Sequence, residues 1–139
     1  MNYYSFEPEV ACQLGDKSIL NSSVHPPIVT KLHCVFDGWL GDDIIEVFPC
    51  YVITEKFKEG IIKYKLSGCS FEDVIVSKSD VFKELYPNRN LPNFFRLIVT
   101  GKKDVDDFVI SNDNILLVSE NAYSSLKRFN LENCDIESE

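Results

Sequence analysis

Residues 52–72, "VITEKFKEGIIKYKLSGCSFE", decide the fold because they recur without a gap as residues 117–137, "LVSENAYSSLKRFNLENCDIE". The two copies agree at positions that helix capping and packing constrain. The agreeing pairs are Thr54 with Ser119, Glu55 with Glu120, Ile61 with Leu126, Tyr64 with Phe129, Leu66 with Leu131 and Cys69 with Cys134. Each copy predicts a strand, a capped helix and a second strand.

The repeat extends upstream at the cost of one inserted residue. "GDDIIEV" (41–47) then faces "VDDFVIS" (105–111), so both copies carry an adjacent aspartate pair. The repeat units are approximately 42–72 and 106–137. We expect an α+β fold, in which a mixed or antiparallel sheet is built from two similar halves and helices cover at least one face. The alternative is chance, since short β-α-β patterns resemble one another.

The remaining patterns bring the expected number of helices to about three. "SDVFKELY" (79–86) predicts a short capped helix that ends before Pro87. Strands are predicted for "NYYSF" (2–6), "CSFEDVIVS" (69–77), "FFRLIVT" (94–100) and a hairpin, "DFVIS" with "ILLVS" (107–111 and 115–119). Residues 15–31 contain Asn-Ser-Ser and Pro-Pro, which are typical of a long connection.

Size and charge restrict the class of protein. A chain of 139 residues with 45% hydrophobic residues suits one globular domain, 1–139. The formal net charge of -8 disfavours binding to nucleic acid or to anionic membrane surfaces and favours a basic partner. No apolar run approaches the length of a membrane span, and the first residues, "MNYYSFEPEV", do not resemble a secretion signal. We therefore expect a cytoplasmic protein.

The five cysteines, an odd number with no CxxC spacing, predict small core side chains in a reducing compartment. Neither a catalytic constellation nor a metal site is predicted. The chain has only His25 and His33, and it lacks the known nucleophile, zinc and phosphate motifs. Adjacent Asp42 and Asp43 would point to opposite faces of a strand, which favours a structural role in strand entry over a metal site. No cofactor is expected.

Binding of a partner is the remaining class of function, and "DGWLGDDII" (37–45) is the strongest candidate for the binding surface. Trp39, the only tryptophan, lies between Gly38 and Gly41 and near three aspartates. This arrangement predicts an aromatic anchor within an acidic rim. The alternative is a core-packed indole that closes one end of the sheet. The predicted partner-binding residues are Trp39, Asp37, Asp42 and Asp43, with Asp104 and Asp106 from a second acidic cluster.

The segment "DDFVISNDNILLVSENAYSSLKRFNLENCDIE" (106–137), preceded by "LPNFFRLIVTG" (91–101), resembles the C-terminal signature of a group of bacterial immunity proteins. These proteins are antidotes to the toxin domains of polymorphic secreted toxins, including Rhs and type VI systems. The resemblance rests on an acidic pair, a strand, a capped helix start, two helix-face residues and a small residue in the next strand. Here these are Asp106 and Asp107, 108–110, 118–120, Leu126 and Phe129, and Asn133 with Cys134.

The resemblance implies a tight 1:1 complex with a cognate toxin domain, in which the toxin's active site is covered without catalysis. Toxins of such systems are often nucleases or ADP-ribosyltransferases, and a basic toxin would suit an acidic antidote. Two alternatives remain open at this point. One is a small hydrolase or transferase that uses Asp42, Asp43 or a cysteine, and the other is a non-catalytic scaffold or regulator.

Overall fold

The computed structural model describes residues 1–139 and shows an α+β fold with three helices and mostly antiparallel sheets, as the sequence predicted. The strands are β1 (Tyr3–Glu7), β2 (Cys12–Leu14), β3 (Ile19–Asn21), β4 (Ile28–Lys31), β5 (His33–Phe36), β6 (Ile44–Val47), β7 (Cys50–Thr54), β8 (Cys69–Asp73), β9 (Ile75–Lys78), β10 (Phe94–Val99), β11 (Phe108–Ile110), β12 (Leu116–Ser119) and β13 (Asp135–Ser138). The helices are α1 (Glu55–Lys63), α2 (Asp80–Leu85) and α3 (Glu120–Leu126). None of them has the length and apolar character needed to span a membrane.

The repeat is visible in the topology of the two four-stranded sheets. One sheet has the order β6-β7-β10-β8 and the other β11-β12-β1-β13. In each, an antiparallel hairpin leads into a capped helix and then into an edge strand. We define unit 1 as β6, β7, α1, β8 and β10, and unit 2 as β11, β12, α3, β13 and β1. Each half forms its own sheet, which corrects the expectation of one sheet shared by both.

The third strand of each sheet comes from a different place in the chain. In unit 1, β10 pairs with β7 so that Phe94 faces Thr54. In unit 2, β1 pairs with β12 so that Tyr3 faces Ser119. The register therefore makes "NYYSF" (2–6) equivalent to "NFFRL" (93–97). Unit 2 is a permuted copy, because its third strand precedes the rest of the unit instead of following it.

The main core lies between the two units and their helices. Thr54 and Ser119 cap α1 and α3, since the hydroxyl of each accepts a backbone N–H three residues on. The core buries alternate residues of both sheets and one face of each helix. Its buried members are Phe6, Ile44, Tyr51, Ile53, Phe57, Ile61, Leu66, Leu97, Phe108, Leu116, Val118, Ala122, Leu126 and Cys134.

A second layer covers the outer face of unit 1. It consists of the sheet β2-β5-β9, helix α2 and the hairpin of β3 and β4. This layer differs from the sequence prediction in two ways. Residues 15–31 contain a two-stranded hairpin within the predicted connection. The single strand predicted for 69–77 divides at Val74 into β8 and β9, which belong to different sheets.

The outer face of unit 2 has a much smaller cover. Tyr3, Val109 and Leu117 form a three-residue buried cluster there. The Tyr3 hydroxyl donates to the carbonyl of Asp106 and accepts from the N–H of Asp104, both at 2.8 Å. The loop before β11 is thereby held over this face.

Candidate functional site at Trp39

The aspartate pairs hold the two units together. Asp43 accepts hydrogen bonds from the cap hydroxyl of Thr54 and from the backbone N–H of Asn130, both at 2.8 Å. Its equivalent Asp107 accepts from the cap hydroxyl of Ser119 and from the backbone N–H of Ser67. Each carboxylate thus joins the helix cap of its own unit to the loop after the helix of the other unit. This arrangement agrees with the structural role that the sequence favoured.

Asp42 is also used internally. Its carboxylate accepts from the backbone N–H and the side-chain amide of Asn133, at 2.8 and 2.9 Å. Asp42 is 0% exposed and Asp43 is 5% exposed. The predicted acidic rim around Trp39 is therefore wrong for these two residues, because their charges face backbone donors inside the protein. The sequence could not show this, since the donors lie about 90 positions away.

Trp39 combines features of the two alternatives that the sequence left open, which were an aromatic anchor at the surface and a core-packed indole. Its ring packs edge-to-face on Phe94, with centroids 5.8 Å apart, and its Nε1–H donates to the carbonyl of Asp42 at 2.9 Å. The side chain borders the second core but is only half-buried. Its remaining surface forms one wall of a groove, so a single indole serves both packing and the surface.

The groove, which we call the Trp39 groove, has a volume of about 450 Å³. Its walls are the loop that carries Trp39, the first turns of α1 and the segment before β10. Glu55 and Glu59 lie four residues apart on one helix face and line it. Lys56 is the only basic residue among the lining, and its ammonium is directed toward Asp43 at 3.9 Å. The groove therefore has a net negative charge beside an aromatic wall.

The groove contains two acidic residues that the sequence analysis did not select. Glu55 keeps one carboxylate oxygen bonded to the side-chain amide of Asn93 at 3.1 Å, and Glu59 is exposed. Both could have been found from their spacing of four residues in the first turns of a predicted helix, which places them on one face. In the sequence, Glu55 was noted only as the repeat counterpart of Glu120.

The other predicted site residues lie apart from the groove. Asp37 is half-buried and accepts a hydrogen bond from the side-chain amide of Gln13 at 2.8 Å. Asp104 and Asp106 belong to the loop that covers unit 2, where Asp104 pairs with the N-terminal ammonium of Met1 at 3.3 Å. Asp106 accepts from the backbone N–H of Lys102 at 2.8 Å. The six residues therefore do not form one surface.

The cysteines and the buried histidine have structural environments. Interaction with Cys34 and burial raise the pKa of the Cys12 thiol, while burial raises the pKa of Cys69 to about 11 and of Cys134 to about 12. These thiols are protonated at neutral pH and are therefore weak nucleophiles. The ring of His33 lies between the backbone N–H of Lys17 and the hydroxyl of Ser77.

No group of three or more His, Cys, Asp or Glu side chains is placed to hold a metal ion. Comparison of the chain with family models, with curated proteins and with solved structures gave no match. The chemistry of the groove, an aromatic wall with two accessible carboxylates, suits the binding of a cationic group of a partner.

Proposed function

We propose that this protein is a bacterial immunity protein, which binds a basic secreted toxin domain 1:1 and covers its active site. The Trp39 groove carries the proposal, because it combines a half-buried indole with the exposed glutamates Glu55 and Glu59. An aromatic anchor within a polar rim is typical of a protein interface. The resemblance of residues 106–137 to immunity proteins and the net charge of -8 support the same function.

Nuclease and ADP-ribosyltransferase are the two leading classes for the toxin. Binding would depend on the surface of the toxin domain and not on the reaction that it catalyses. A basic active-site cleft would be drawn to this acidic protein over distances comparable with the Debye length of roughly 8 Å at physiological ionic strength. The remaining affinity would come from burial of the indole. Occlusion of this kind requires neither a cofactor nor turnover.

Co-expression with the toxin domain encoded beside this gene tests the proposal. We expect the wild-type protein to rescue growth and to form a 1:1 complex by light scattering. Trp39→Ala should weaken binding by about 30-fold to 1,000-fold, which corresponds to the roughly 2–4 kcal/mol of a central aromatic anchor. Leu40→Ala is the matched control, because Leu40 is the adjacent side chain and is 62% exposed.

Two outcomes would overturn the proposal or its site. Equal killing with and without this protein would exclude the immunity function against that toxin. A Trp39→Ala variant with a lower melting temperature and unchanged affinity would assign the indole to packing against Phe94.

Glu59→Gln should reduce mainly the association rate at low salt, and Glu137→Gln on β13 provides its charge-matched control.

A further inference from the structure

A second surface lies where the turn of the β6–β7 hairpin faces the turn of the β11–β12 hairpin. Two adjoining cavities of about 440 and 240 Å³ open there and share Glu46, Phe48, Tyr51 and Asn114. We call them together the hairpin cleft. The cleft has no lining residue in common with the Trp39 groove.

One side of the hairpin cleft is apolar. Phe48, at the tip of the first hairpin, is 48% exposed, and Ile28 is 54% exposed. His25 lies near the Phe48 ring, with centroids 6.2 Å apart. Pro26 and Pro27 complete this side of the cleft. Exposed apolar side chains around a cavity are typical of a docking surface.

The floor of the cleft carries a carboxylate that the fold does not require. Glu46 faces Tyr51 across the hairpin, at a position whose equivalent in unit 2 is Ile110, facing Leu116. The equivalent position of unit 2 therefore carries an apolar side chain. No hydrogen bond or ion pair within the protein engages the Glu46 carboxylate. Burial of this unpaired group, together with the charge of Glu7, raises the pKa of Glu46.

We propose that the hairpin cleft docks a basic segment of a partner protein, with an arginine or lysine side chain inserted beside Glu46. Charge complementarity identifies the occupant, because the carboxylates of Glu46, Glu7 and Asp113 outnumber the one guanidinium of the lining, that of Arg96, which donates to the carbonyl of Val29 at 2.6 Å. The long apolar stem of an arginine or lysine would contact Phe48 and Tyr51, while its cationic end would reach the carboxylates. A guanidinium can also lie against an aromatic ring, which favours arginine.

A blocked tri-arginine peptide tests this docking on the whole protein by two-dimensional NMR. We expect saturable shifts of the backbone amide signals of Glu46, Phe48, Tyr51 and Asn114. Blocked tri-citrulline, which has the shape of arginine without its charge, should give none. Glu46→Gln should weaken the peptide's affinity at least tenfold, whereas the charge-matched Glu137→Gln should leave it unchanged.

The fold of the Glu46→Gln variant is checked from the dispersion of its own spectrum. Glu46→Ile, which places the residue of unit 2 at this position, provides a second variant without the carboxylate. The proposal fails if tri-arginine causes no saturable shift in the cleft or if Glu46→Gln binds it equally well. It also fails if tri-citrulline binds similarly, or if the shifts are confined to the Trp39 groove.

Discussion

Unit 1 and unit 2 share strand order, register and helix caps, but they differ on their outer faces. A complete layer with its own core of 12 buried residues covers unit 1, whereas a three-residue cluster and one loop cover unit 2. Several positions of the shared core are apolar in both units, such as Ile53 with Val118 and Ile61 with Leu126. Trp39 has no counterpart in the stretch "GKKDVDD" (101–107), and Glu46 corresponds to Ile110. Both candidate binding surfaces therefore lie at positions where the two units differ.

The largest effect is expected from the two equivalent aspartates. Asp43→Ala and Asp107→Ala should each lower the free energy of unfolding by about 2–4 kcal/mol, because each leaves a buried cap hydroxyl and a backbone N–H without their acceptor. Urea unfolding of both variants measures the loss. Glu59→Ala, at an exposed carboxylate of α1, is the control and should change stability by less than about 0.5 kcal/mol. If only one of the two variants loses much of its free energy of unfolding, the two aspartates are not equivalent.

A smaller effect is expected where α1 approaches α3. A Cβ at Gly60 would lie 2.5 Å from the Phe129 ring, so Gly60→Ala should cost about 1–2 kcal/mol despite the better helix propensity of alanine. The equivalent change in α3, Ser125→Ala, should be neutral or should stabilise by a few tenths of a kcal/mol. Thermal unfolding of the pair measures the difference. A stabilising Gly60→Ala would mean that Phe129 moves freely and that the helices are not closely packed.

The smallest effect concerns Glu9, which follows β1 and has one carboxylate oxygen buried without a hydrogen-bond donor. Burial and the charge of Asp42 raise the pKa of Glu9 in the folded protein. Protonation of Glu9 therefore favours folding, and this contribution is lost as the pH rises through the raised pKa. Glu9→Gln should stabilise the protein at pH 7 by less than about 1 kcal/mol, and the gain should vanish below about pH 4.

Denaturant unfolding of Glu9→Gln and wild-type protein between pH 3.5 and 7.5 measures this dependence. Continuing the register of β10 places the uncharged Thr100 at the equivalent position of unit 1. Thr100→Ser should therefore show the pH dependence of the wild type. A pH-independent difference between Glu9→Gln and wild type would assign the effect to packing.

The helices and the repeat could be predicted because their signals are local. Thr54, Ser79 and Ser119 cap the three helices as their sequence positions indicated. The burial of Asp42 and Asp43 could not be predicted, since it depends on donors in the loop after α3. The equivalence of β1 and β10 was missed because a collinear alignment cannot match a strand that precedes its unit with one that follows it. The sequence indicated Trp39 as a site residue, but it did not indicate Glu55 and Glu59, the two glutamates that line the Trp39 groove.

The permuted position of β1 gives the two units different folding histories. All strands of unit 1 lie between Ile44 and Val99, so its sheet can pair once residue 99 has been synthesised. The sheet of unit 2 joins β1 to β13, and Tyr4 must find Ser138 across nearly the whole chain. Closing so long a loop is slow relative to local hairpin formation. During synthesis β1 therefore lacks its first partner strand until residues 116–119 have emerged and its second until residues 135–138 have emerged.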